Sequence, residues 1–95
     1  MTRDDVLAKL HGLKPWLAEQ GIGRVRLFGS YARDEARPDS DIDLIVELTR
    51  PMGLAFFGLE DELSKRLGAK VEMTTEAALQ NRIIRRNALA DCIDA

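Results

Sequence analysis

The feature that most constrains the fold is a two-residue alternation near the middle of the chain, in which Ile45 is the one apolar residue on the otherwise polar face. From Asp41 to Leu48, every second side chain is apolar, and these residues are Ile42, Leu44, Val46 and Leu48. Successive side chains of a β-strand point to opposite faces, so this pattern predicts a half-buried strand. A shorter run from Arg24 to Phe28 alternates in the same way and predicts a second strand. A chain with these segments is not expected to be an all-helical bundle.

Helical spacing of apolar residues fills the segments around these strands. Thr2 and Asp5 form a capping-box pattern ahead of the first such run, which predicts a helix over residues 3–20. Pro15 lies inside this run, and because proline removes a backbone donor, we expect a kink or a break in the preceding turn. A second helical pattern ends at Gly68.

The C-terminal quarter predicts one more strand and one more helix. The strand is expected over residues 70–74, and Thr75 is expected to cap the helix that follows. The apolar residues of that helix are Leu79, Ile83, Ile84 and Ala88. Strands separated by helices predict an α/β sandwich, and a length of 95 residues predicts a single domain over 1–95.

The composition of the chain argues against several classes of function and of binding site. The formal net charge of −2 argues against a nonspecific nucleic-acid binder, so direct nucleic-acid binding is not expected. No apolar run approaches the roughly 20 residues of a membrane-spanning helix, and the first residues do not resemble a signal peptide, so we expect a cytoplasmic protein without a membrane partner. Cys92 is the only cysteine, which excludes an intrachain disulfide and a cysteine-rich zinc site.

The strongest chemical signal is a Gly29-Ser30 bend followed eleven residues later by Asp41 and Asp43. Carboxylates at positions i and i+2 of a strand share a face, roughly 6 to 7 Å apart. Since like charges at that spacing repel, a bound divalent cation such as Mg²⁺ explains the pair better than structure alone. Gly29 has no Cβ, so a phosphate can approach its backbone, and Ser30 is placed to cap the next helix.

Simpler interpretations of the acidic pair have to be weighed against this one. An isolated Asp-x-Asp is more often a pair of solvated acids on an exposed strand, and here the preceding glycine-serine bend favours the functional interpretation. A calcium-binding EF-hand loop starting at Asp39 fails, because Leu44 and Arg50 occupy positions that require Gly and Glu. A Walker-type phosphate loop fails because no Lys-Ser or Lys-Thr follows Gly29 at the required spacing.

The segments 28–33 (Phe-Gly-Ser-Tyr-Ala-Arg) and 39–44 (Asp-Ser-Asp-Ile-Asp-Leu) resemble the signature of the polymerase-beta-type nucleotidyltransferase superfamily, and specifically of its minimal, single-domain branch. The resemblance implies a small mixed β-sheet flanked by helices. It also implies transfer of a nucleoside monophosphate from a nucleoside triphosphate with two Mg²⁺ ions. Members of this branch are commonly antitoxins paired with a HEPN-type ribonuclease toxin, and some silence that toxin by attaching AMP to a tyrosine.

The resemblance assigns roles to six residues. It implies that Gly29, Ser30 and Ser40 bind the nucleotide, which we expect to be ATP. It implies that three acids hold the metals and carry catalysis, namely Asp41, Asp43 and Glu72. The equivalent of Glu72 is usually Asp in the family, and Asp34 stands where the family usually has Gly. For Glu72 alone, a solvent-facing strand residue is an equally good interpretation.

Three functions remain open at this point. The first is an enzyme that transfers AMP to a hydroxyl of a HEPN-type toxin. The second is a catalytically weak module that neutralises the toxin by covering it, with Asp34 and Glu72 as the reasons for low activity. The third, modification of a small molecule, is less favoured because the antibiotic-modifying relatives carry an additional substrate domain. Self-association is left open. Arg33 is expected to pair with a carboxylate such as Asp39, and contact with a phosphate is the less favoured alternative. The arginine stripe could contact a toxin, a triphosphate or RNA, but a solvated face is the favoured interpretation for Arg82, Arg85 and Arg86.

Overall fold

The computed structural model describes residues 1–75 and 92–95. In chain order the elements are α1 (Arg3–Glu19), β1 (Ile22–Phe28), α2 (Gly29–Ala32), β2 (Ile42–Leu48), α3 (Ala55–Leu67), β3 (Val71–Thr75) and β4 (Ile93–Asp94). The three predicted strands are confirmed to within two residues at each end. In the part of the chain described, no helix combines the length and apolar character needed to cross a membrane.

The four strands form one mixed sheet in the order β3-β2-β1-β4. Strand β1 runs antiparallel to both of its neighbours, β2 and β4, whereas β2 and β3 are parallel. Parallel strands need a crossover connection, and α3 supplies it between β2 and β3. The predicted mixed sheet with helices is confirmed.

The core lies between one face of this sheet and the two long helices. Alternate residues of the strands pack against buried leucines of α1 and α3, as the two-residue period requires. A register shift between Ile22 and Arg24 adds one residue to β1 and keeps both Ile22 and Val25 on the buried face. The fully buried large side chains are Leu10, Leu17, Leu27, Ile42, Leu44, Ile45, Leu63 and Leu67.

Helix α1 confirms its predicted cap and, of the predicted kink or break, excludes the break. Thr2 Oγ accepts a hydrogen bond from the Asp5 backbone N, and Asp5 Oδ2 accepts one from the Thr2 backbone N. The helix nevertheless runs without interruption through Pro15. Both Pro15 and His11, whose carbonyl loses its partner, lie on the exposed side, where water can bind that carbonyl.

Two details near α2 and at the C-terminus differ from the sequence prediction. Helix α2 begins at Gly29, so its N-cap is Phe28 and no side chain caps it. The expected cap by Ser30 is therefore wrong, because Ser30 already lies inside the helix. Strand β4 was not predicted, since two residues carry no periodicity. The predicted helix after Thr75, with its apolar residues and its arginine stripe, lies outside the described residues.

Candidate active site

The bend between β1 and α2 brings Gly29 against Asp43 of β2. The antiparallel register pairs Phe28 with Asp43, so the chain turns away from the sheet directly beside this carboxylate. Gly29 has φ +73°, and a Cβ there would collide with Asp43 Oδ2 and lie 3.3 Å from Asp43 Cγ. Glycine is required on both counts, because it adopts this conformation without strain and leaves room for the Asp43 carboxylate.

The parallel register places Glu72 of β3 directly beside Asp43. Desolvation of the half-buried Asp43 carboxyl raises its pKa to about 6. The negative charges of Glu72 and Asp41 add to the effect, as does a hydrogen bond that the protonated Asp43 carboxyl donates to Glu72. Arg33 acts in the opposite direction on that pKa. Three acids therefore concentrate negative charge at the N-terminal ends of the parallel strands β2 and β3.

Asp41 lies just before β2 and has a cation nearby. Its Oδ2 is 3.9 Å from Lys70 Nζ, although both side chains are substantially exposed and the pair is therefore weak. The backbone N of Ile42 donates to the carbonyl of Lys70 at 2.8 Å, which ties the start of β2 to the start of β3. This bond holds the acid-bearing ends of the two strands together.

Ser40 and Ser30 hold two different turns beside the acids. Ser40 Oγ accepts a hydrogen bond from the Arg37 backbone N at 2.8 Å, and the Ser40 backbone N donates to the Arg37 carbonyl at 2.9 Å. Ser40 thus closes the turn that leads into Asp41. Ser30 is partly exposed in α2, next to Gly29, and its carbonyl accepts from the Glu35 backbone N at 2.8 Å.

The two residues after α2 take roles that the sequence did not reveal. Arg33 Nε lies 3.3 Å from Glu35 Oε2, so a carboxylate partner is present but it is Glu35 instead of Asp39. Asp34 has φ +57°, the left-handed conformation that favours glycine. Its Oδ1 accepts a hydrogen bond from the Arg3 backbone N at 3.3 Å, so the carboxylate is directed to the start of α1.

The donor set has the chemistry that Mg²⁺ prefers. Carboxylate oxygens are hard ligands, and a divalent cation would offset both the desolvation of Asp43 and its repulsion by Glu72 and Asp41, which together raise the Asp43 pKa. Within residues 1–75 and 92–95, no three His, Cys, Asp or Glu side chains already form a metal-ligand group. Coordination by all three acids would therefore require their side chains to rotate.

Sequence reasoning did not single out Lys70 or the two α3 side chains that bind β3. Lys70 lies two residues before Glu72, but its approach to Asp41 depends on the pairing of β2 with β3. Glu60 and Ser64 reach the β3 backbone from α3, and only helical spacing of two polar residues on an otherwise apolar helix face could have indicated this.

Sequence comparison places the chain among known nucleotidyltransferases. The sequence model of the nucleotidyltransferase domain matches residues 12–94. The chain is 34% identical over 85 residues to the protein adenylyltransferase MntA of Thermococcus cleftensis, covering 87% of this chain and 86% of that protein. It is 44% identical over 73 residues to a protein of Methanocaldococcus jannaschii with a predicted protein adenylyltransferase activity, covering 76% of this chain and 74% of the relative.

Structure comparison gives the same fold. A solved structure of a predicted minimal nucleotidyltransferase superposes with a TM-score of 0.78 at 37% identity, covering 98% of this chain and 95% of that one. A toxin-antitoxin crystal structure with AMP-PNP superposes with a TM-score of 0.68 at 18% identity, covering 99% of this chain and 72% of the matched chain. The second likeness is one of fold alone.

Proposed function

The chain belongs to the nucleotidyltransferase domain family, among its minimal members, and from this premise we propose that it transfers AMP from ATP to a hydroxyl of a partner protein. In this reaction the hydroxyl oxygen forms a bond to the α-phosphorus of ATP. The bond from that phosphorus to the oxygen bridging the α- and β-phosphates breaks. Pyrophosphate leaves, and the hydroxyl proton passes to solvent or to a site carboxylate.

One observation carries the proposal: the sheet register gathers Gly29, Asp43 and Glu72 at a single point. Because Gly29 has no Cβ, the Asp43 carboxylate lies directly against this turn, and a triphosphate bound at the turn would lie beside the acids. Ser30, the next residue, would donate its hydroxyl to a phosphate oxygen. Ser40 would act by fixing the turn before Asp41.

Mg²⁺ would be held by the carboxylates of Asp41, Asp43 and Glu72. When bound, the ions would neutralise charge on the triphosphate and favour ionisation of the attacking hydroxyl. The chain's own contribution is to fix the carboxylates on two parallel strands whose ends are joined by the Ile42–Lys70 backbone bond. Glu72 lies on β3, whereas Asp41 precedes β2 and Asp43 lies within β2.

The partner proposed is a HEPN-type toxin whose hydroxyl accepts AMP. Support comes from the relative named protein adenylyltransferase MntA and from the fold shared with the antitoxin-containing crystal structure. Occlusion without chemistry is the competing possibility, and Glu72 in place of the usual Asp is the feature that favours it. The contact between Glu72 and Asp43 argues for an intact acidic site.

The test is transfer of label from ATP carrying a labelled α-phosphate to the toxin encoded by the neighbouring gene. We expect the wild-type chain to label that protein in the presence of Mg²⁺, and Asp43→Asn to reduce the rate at least a hundredfold. Asp61→Asn is the matched control, since Asp61 is an exposed acid on α3 away from the site, and it should label at the wild-type rate.

Neutralisation of the toxin is measured in parallel with labelling. If Asp41→Asn combined with Asp43→Asn still neutralises the toxin and the wild type transfers no label, occlusion is the function. If label appears on a small molecule without any protein partner, the proposed acceptor is wrong.

A further inference from the structure

Among the described residues, strand β3 lies at an edge of the sheet and pairs with β2 alone. The N–H groups of alternate residues of β3 therefore point away from β2. Two of these are satisfied by side chains of α3. Ser64 Oγ accepts from the Val71 backbone N at 2.9 Å, and Glu60 Oε2 accepts from the Met73 backbone N at 2.8 Å.

These two acceptors form one unit, which we call the α3 clamp (Glu60 and Ser64). They are four residues apart and therefore lie on the same side of α3. The Ser64 hydroxyl also donates to the Glu60 carbonyl at 2.9 Å, so it uses its donor and its acceptor at once. The helix is held against the sheet by three buried leucines, at positions 59, 63 and 67.

The α3 clamp accepts hydrogen bonds from the backbone of the residues on either side of Glu72. Val71 and Met73 are 1% and 6% exposed, so their side chains point into the core and Glu72 points to the opposite face. On the other edge of the strand, the bond from Ile42 N to the Lys70 carbonyl ties β3 to β2. The backbone around Glu72 is therefore held from both sides.

We propose that Glu60 and Ser64 are positioning residues for the third acid: they hold β3 so that the Glu72 carboxylate meets Asp43 and can share a metal with it. This rests on the proposed function, which makes Glu72 a metal ligand. The longer Glu side chain makes the anchoring more important, because one extra rotatable bond must be compensated by a fixed backbone. The role proposed for both residues is indirect, through their hydrogen bonds to the β3 backbone.

The experiment measures Mg²⁺ binding by calorimetry on the chain with AMP-PNP, together with thermal unfolding and amide hydrogen exchange. Ser64→Ala and Glu60→Leu should each weaken Mg²⁺ binding three- to tenfold and speed exchange at the Val71 or Met73 amide, respectively. Glu60→Gln keeps a carbonyl acceptor and should restore binding to within twofold of wild type. Asp61→Asn, on the same helix, should leave Mg²⁺ binding unchanged.

The outcomes separate this inference from the function on which it rests. If the wild type binds Mg²⁺ with AMP-PNP and both clamp variants fold and bind it equally well, the clamp is only structural and the inference is overturned. If the wild type itself binds no Mg²⁺, the proposed function fails first. Should Glu60→Leu not fold, Ser64→Ala and Ser64→Thr give the same comparison with smaller changes in volume.

Discussion

Gly29 links backbone conformation to the acidic site at the scale of a single residue. Gly29→Ala should lower the free energy of unfolding by about 2 to 3 kcal/mol and should reduce the rate of AMP transfer at least a hundredfold. The reason is that the new Cβ adds strain at φ +73° and collides with the Asp43 carboxylate. Gly68→Ala is the control, since Gly68 has φ +77° but open space around it. It should cost about 1 kcal/mol and leave transfer unchanged.

The comparison separates conformational strain from the collision. Urea unfolding gives the stabilities, and labelled-ATP transfer gives the rates. Equal losses of stability and activity in the two variants would show that the collision with Asp43 has no consequence.

Asp34 occupies a position where glycine is the easier residue, but its carboxylate has another use. Asp34→Gly should relieve about 1 kcal/mol of left-handed strain and lose a similar amount from the bond to the Arg3 backbone N at the start of α1. We expect the free energy of unfolding to change by less than about 1 kcal/mol. Transfer should change less than twofold, as measured by kcat/KM. A tenfold gain in transfer would show that Asp34 repels the triphosphate.

Single residues also show the limit of what the sequence could predict. The two-residue period places Asp41 and Asp43 on one face, and that is a local property. The contact of Asp43 with Glu72 depends on the register between β2 and β3. A 22-residue connection that contains α3 determines this register, and no local sequence pattern predicts it. Lys70 was missed for the same reason.

At the scale of an element, α1 shows how packing overrides a helix breaker. Pro15 removes one hydrogen bond on the exposed side, while Leu10 and Leu17 remain buried on the other. The missing proline donor predicted a kink or a break, and burial of these leucines on the sheet keeps the helix unbroken. The capping box was predictable because it needs only two residues three positions apart.

Replacing this proline should stabilise the chain. Pro15→Ala should raise the free energy of unfolding by about 1 to 2 kcal/mol, because a regained hydrogen bond outweighs the greater freedom of the unfolded chain. Gly12→Ala is the control on the same helix, with open space at its Cβ position, and should add about 0.5 to 1 kcal/mol. Chemical denaturation measures both. A loss of stability in Pro15→Ala would mean that the helix is shaped by the proline.

At the scale of the whole molecule, the helices and the acids use opposite faces of one sheet. The core face packs against α1 and α3, and the alternate side chains of β2 and β3 carry Asp43 and Glu72 on the other face. Because both faces share the same strands, the charge state of the acids affects the stability of the fold. Protons and divalent cations therefore compete for a site that is coupled to global unfolding.

This coupling predicts opposite pH trends with and without ligand. The folded-state pKa of Asp43 is raised from 3.8 to about 6, so the folded chain binds more protons than the unfolded chain between these values. Without ligand, stability should therefore fall as pH rises from about 4 through 6, by on the order of 1 kcal/mol after allowance for solvent screening. With Mg²⁺ and AMP-PNP, the added stabilisation should instead be larger at pH 7.5 than at pH 5, because a protonated Asp43 cannot bind the cation.

Thermal unfolding at the two pH values, with and without the ligand, measures both trends in one protein. Asp43→Asn has no carboxyl to titrate at this position. It should lose the Asp43 contribution to the pH dependence of stability without metal, and most of the stabilisation by Mg²⁺. Asp61→Asn should follow the wild type in both. A ligand-induced shift in Tm that is the same at pH 5 and pH 7.5 in the wild type would show that Asp43 is not a metal ligand. The metal-free trend would still hold in that case, because it requires only the partial burial of Asp43 and its proximity to Glu72 and Asp41 in the folded sheet.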